Sequence, residues 1–115
     1  MTRDLFDTDQ FLSSLAHDRE LAVELIDAFL EDCPKRVAEL TEALGAGDIV
    51  QGTKLAHSLK GMCGVVRADV LGRLALEMEH AGRDGKLEVV RDRLDLFTGS
   101  LDQARELMLR FRNNG

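Results

Sequence analysis

His57, Lys60 and Gly61 are the residues of this chain whose types and spacing could do chemistry. An imidazole with an ordinary pKa near 6.5 is a nucleophile at neutral pH and can take up and release a phosphoryl group. An ammonium one helical turn further on can offset the charge of a phosphate placed on the ring. Helical side chains lean toward the N-terminus, so the residue at i+4 roofs over position i. Here that residue is Gly61, and Gly64 extends the bare ground. Each interior glycine costs a helix about 1 kcal/mol relative to alanine. On an outward face that cost has no packing return. The spacing therefore predicts an imidazole that another protein can reach. Gly61→Ala is expected to stabilise the helix and to slow transfer, with its methyl leaning over the ring.

A helical projection of the same stretch sets the face. Leu55, Leu59, Met62 and Val66 fall within about 60° of one another as an inward seam. His57 points away from it, and Val50, Thr53, Lys54, Lys60, Gly61 and Gly64 share the outer face. Other chemistries find little support. No Gly-rich phosphate loop or nucleotide motif is present, so the chain is not expected to make its own phosphoryl donor. No His, Cys or carboxylate spacing resembles a metal site. Glu77 and His80 have the i, i+3 spacing of a carboxylate-bridged metal helix, but in a single copy. His17 and His80 read as solvated residues.

These residues need elements to hold them. Asp7 or Thr8 can cap a short helix carrying Phe11, Leu12 and Leu15, ending near Ala16 and His17. Asp18 caps a second helix with Leu21, Leu25, Ile26, Phe29 and Leu30 on its apolar face. Ile26, Leu30, Cys33, Val37, Leu40 and Leu44 keep their 4- and 3-residue steps through Pro34, which predicts one kinked helix rather than two. Gly45-Ala46-Gly47-Asp48 closes it and caps the next, which runs from Asp48 or Ile49 to Val65. Asp69 can cap a fourth helix with Leu71, Leu74, Ala75, Met78 and Ala81 inward. Gly82-Arg83-Asp84-Gly85 makes the next turn. Leu87, Val90, Leu94, Phe97, Leu101, Ala104, Met108 and Phe111 then form an unbroken heptad seam. Gly99 lies off that seam, and Asn113-Asn114-Gly115 should fray. No segment alternates with period two. The expected fold is all-α: an antiparallel up-down-up-down four-helix bundle, with the short first helix as a lid.

Composition agrees with a single domain spanning residues 1–115. With 44% apolar and 31% charged residues the chain resembles an ordinary globular protein. A net charge of -6, five Phe, no Trp and no Tyr disfavour nucleic acid and anionic membrane as partners. No apolar run reaches a membrane span, and the N-terminus is not a signal peptide. The expected location is the cytoplasm, with Cys33 and Cys63 as buried thiols.

Ala56-His57-Ser58-Leu59-Lys60-Gly61 resembles the phosphoacceptor signature of histidine phosphotransfer (HPt) domains. Phe29-Leu30-Glu31-Asp32-Cys33-Pro34, Ala43 to Asp48, Met78-Glu79 and Ala81 to Gly85 are similar to further parts of that family, from about residue 18 onward. The resemblance implies a phosphorelay carrier. His57 would accept a phosphoryl group from the aspartate of a receiver domain and pass it to another receiver. Lys60 would steady the phosphate, and Gly61 would let the partner's acidic pocket approach. The implied partner is the receiver domain of a hybrid histidine kinase, a response regulator, or both. The Mg²⁺ would come from that partner, and the chain itself is expected to be a monomer with no cofactor, no metal and no enzymatic activity of its own.

Position 62 is usually small in the family and here is Met62, which points inward. Position 67 is often glycine and here is Arg67. If the helix persists that far, Arg67 adds a second cation beside the phosphate and a docking residue with Val50, Thr53, Lys54, Gly61 and Gly64. Arg73 is a further candidate cation for that patch. The alternative function is a noncatalytic HPt-like adaptor that docks a signalling partner without being phosphorylated. A third is the phosphotransfer module of a chemotaxis-type kinase.

Overall fold

The computed structural model describes residues 5–114, so the expectation for Gly115 lies outside it. Five named helices follow one another, with no strand among the described residues. They are α1 (Thr8–Ser14), α2 (Arg19–Gly45), α3 (Ile49–Val65), α4 (Asp69–Arg83) and α5 (Leu87–Asn113). Helices α2 to α5 form the all-α up-down-up-down arrangement expected. At 1.5 Å per residue the two 27-residue helices are about 40 Å long, which matches the 43 Å long axis of the molecule.

Short polar signals start three of the helices. Asp7 accepts from the Gln10 amide, Asp18 from Leu21 and Asp48 from Gln51, each satisfying one of the orphan donors of a first turn. The fourth start differs from expectation. Ala68 is the N-cap of α4 and no side chain caps it; Asp69 is the first helical residue, where its charge still favours the positive end of the dipole.

Turns between the bundle helices share one geometry. Gly47, Arg67 and Gly85 each have positive φ, at 71°, 58° and 73°. In each turn the next residue's amide reaches back five positions, from Asp48 to Ala43, Ala68 to Cys63 and Lys86 to Ala81. This is the left-handed closure that glycine fits and that satisfies the last carbonyls of a helix. Arg67 adopts it without glycine's freedom. Helix α3 therefore ends at Val65, and Arg67 does not continue the outer face as the projection assumed.

Helix α2 runs through Pro34 unbroken. Pro34 is exposed, so its ring lies on the solvent side of the helix rather than in the core. On the same helix Leu21 is 38% exposed and Ala22 takes the buried place, a one-residue correction to the apolar face. The α5 seam is buried from Val90 to Phe111 with Leu87 half-buried, and Leu55 and Leu59 of α3 with its C-cap Val66 close the core, with Met62 half-buried. Helix α1 covers one end: Phe11 is fully buried, its ring 6.1 Å from Phe111 and 5.6 Å from Phe6. Arg19 fastens that end by donating to the Phe111 carbonyl at 2.7 Å and lying over its ring.

Candidate functional site

Helix α3 carries His57 outward, with its side chain 63% exposed. The ring is nevertheless held. His57 Nδ1 lies 3.0 Å from Glu79 Oε2 on α4, a partner the single-helix projection could not show. Glu79 is 1% exposed and is the one buried charged residue among those described. Arg83 Nη2 donates to the same Oε2 from one turn along α4, and Lys60 Nζ stands 3.4 Å from Oε1. Oε1 has no hydrogen-bond partner of its own, so it meets the ammonium as a charge rather than through an aligned bond. One carboxylate therefore gathers the imidazole and two cations.

Burial pushes the Glu79 carboxyl up, but the His57 hydrogen bond, the Arg83 and His57 charges and the Lys60 contact together hold it below its ordinary value. A carboxylate only accepts hydrogen bonds. Nδ1 must then carry the proton and donate it, which leaves the lone pair of the neutral ring on the exposed Nε2.

Gly61 and Gly64 are exposed, and a Cβ at either would meet nothing within 4 Å. The open ground predicted around His57 is present. A methyl at 61 would not reach the ring, however, so it would not lean over the imidazole as the spacing predicted. On the N-terminal side of His57, Ile49, Val50, Thr53, Lys54, Gly82 and Arg83 line a groove of about 630 Å³. Val50 contributes an exposed apolar surface there, at 64%. Across α3, Arg36 of α2 donates to Ser58 Oγ at 3.3 Å and to Glu39 on its own helix at 2.8 Å.

The structure thus brings Val50, Thr53, Lys54, His57, Lys60, Gly61 and Gly64 onto one face. Arg67 does not continue that helical face; it lies in the turn beyond Val65, where the helix has ended, and, like Lys60, Gly61 and Gly64, it lines no part of the groove. Arg73 is exposed on α4 and likewise lines no part of it. Arg83 and Glu79 are the residues that sequence reasoning missed. The i, i+4 spacing of Glu79 and Arg83, with bare Gly82 between them, was the available signal. Glu77 is taken up by Arg93 at 2.7 Å, and His80 is exposed. Among the described residues no group of three His, Cys, Asp or Glu side chains could hold a metal ion. Cys33 and Cys63 are buried free thiols, and burial pushes Cys33 up to about 12, far from a reactive thiolate.

The family described as Hpt domain matches residues 24–107. No curated protein and no solved structure matches the chain.

Proposed function

The chain belongs to the Hpt domain family, and from that premise we propose that it carries phosphoryl groups on His57 between receiver domains. The observation that supports this most is the hydrogen bond from Nδ1 to Glu79, which directs the Nε2 lone pair outward. In this reading Nε2 attacks the phosphorus of a receiver's aspartyl phosphate. The N–P bond forms as the P–O bond to the aspartate breaks, and the carboxylate leaves. Positive charge develops on the imidazole and is met by the Glu79 carboxylate 3.0 Å away. The reverse step gives the group to a second aspartate.

Lys60 and Arg83 then act as the cations of the phosphoryl site. Both are drawn to Glu79 and both are partly exposed, so either can turn toward a dianion on the ring. The receiver brings the Mg²⁺, and Val50, Thr53, Lys54, Gly61 and Gly64 form the docking ground. The experiment is incubation with a receiver domain charged with phosphate. A carrier takes the label from the receiver, whereas the adaptor reading is upheld if a complex forms and no label moves.

A further inference from the structure

One turn from the reacting imidazole, α3 and α4 leave no room for a side chain between Thr53 and Gly82. A Cβ built on Gly82 would stand 3.2 Å from Thr53 Cβ, 3.4 Å from its Cα, and closer still to Oγ1. The hydroxyl cannot simply turn aside, because it donates to the Ile49 carbonyl at 2.8 Å and a β-branched side chain offers only a methyl in exchange. Any side chain at 82 must therefore push the two helices apart. Thr53 precedes His57 by four residues, and Gly82 follows Glu79 by three. Between antiparallel neighbours these are successive rungs of one ladder. The rung next to the contact is the 3.0 Å bond between Nδ1 and the buried Glu79.

The geometry points to the Thr53–Gly82 contact as the device that positions the reacting imidazole, by setting the helix spacing at which Glu79 holds Nδ1–H. Its consequence for transfer rests on the reading of His57 as the acceptor; its geometry does not. A separation of about half an ångström takes the bond to the edge of hydrogen-bonding range. The ring is then free to adopt the Nε2–H form that a histidine side chain prefers in water. In that form the lone pair is on Nδ1, on the side facing Glu79, so a smaller share of rings presents a nucleophilic nitrogen to solvent. Gly82 and Thr53 are positioning residues in this account, since neither needs to touch the phosphoryl group.

Two readouts test it in Gly82→Ala, Thr53→Ile, Thr53→Ala and the Thr53→Ala/Gly82→Ala pair. The first is the His57 tautomer, from ¹⁵N NMR of the labelled imidazole at a pH where the ring is neutral. The second is the rate of labelling by phosphoramidate, a small donor that needs no docking surface. Gly82→Ala is expected to shift the ring toward Nε2–H and slow labelling severalfold, in proportion to the loss of the Nδ1–H form. Thr53→Ile, which crowds the same contact from α3, should act in the same direction. Removing Oγ1 in the double variant should move both readouts back toward the parent. If Gly82→Ala does not fold, Thr53→Ile decides alone. A lowered melting temperature with the parent's tautomer in the crowded variants overturns the proposal, as does a tautomer change that the double variant leaves untouched. Absence of label on the parent protein would instead overturn the acceptor reading, and the tautomer comparison would still decide the contact.

Discussion

Glu79 is where the chemistry of single residues concentrates. A buried carboxylate is costly to leave charged unless it is paired, and this one has three partners on two helices. Its carboxyl is held below the ordinary value. The stability it contributes is therefore complete above the unfolded glutamate value of about 4.3 and is lost as pH falls through the lower folded value. Glu79→Gln can still accept from Nδ1 and Arg83 but carries no charge. It should lower stability at neutral pH by about 1.5–3 kcal/mol, the range for hydrogen bonds to charged groups. Its acid unfolding should also begin less steeply below pH 4, because one titrating group has gone. Denaturant melts of both proteins from pH 7 to pH 3 check this; parallel pH profiles would contradict it. The sequence alone showed His57 outward and Gly61 bare, since both follow from one helix's own periodicity. Glu79 was hidden because its burial depends on how α4 lies against α3.

At the scale of elements the caps and seams were legible and the turns were only partly so. Asp7, Asp18 and Asp48 all cap as their chemistry suggests, and the α5 seam buries the residues its heptads name from Val90 onward. Pro34 did not end α2, because an apolar stripe that continues on both sides outweighs one lost bond. Asp69 misled because a residue that can cap can equally serve in the first turn. Arg67 misled because a projection that assumes helix cannot foresee a left-handed turn. That turn makes a prediction. Arg67 occupies a φ of 58° where the two matching turns place glycine. Arg67→Gly should stabilise the protein by about 1 kcal/mol, the lower end of the left-handed cost for residues with a Cβ. Phosphoryl transfer should be unchanged, because Arg67 makes no hydrogen bond or ion pair with His57, Lys60, Glu79 or Arg83. A thermal or urea melt measures the first, and a destabilised variant would contradict it.

Taken whole, the molecule is acidic, with a net charge of -6, yet it presents cations around His57. Lys54 and Arg83 line the groove, Lys60 stands beside the ring, and Arg36 lies across α3. In the proposed reading, attraction to an acidic receiver surface would come from this local patch rather than from net charge. Lys54→Glu should slow association with a receiver by roughly tenfold at low salt and flatten its salt dependence, within the range that steering charges command. Arg105→Glu, remote on α5, should do much less. Stopped-flow binding at several ionic strengths separates the two, and equal effects would remove the patch from the account.

The same molecule has three histidines, and only His57 combines an oriented Nδ1, a neighbouring lysine and open ground. The most direct measurement is the phosphate taken up by His57→Gln from a labelled receiver domain, compared with the parent chain. The parent should acquire an acid-labile, base-stable label, and His57→Gln should acquire none while keeping its helicity and cooperative unfolding. Label of the same stability persisting on a folded His57→Gln protein would contradict the assignment of His57 as the acceptor.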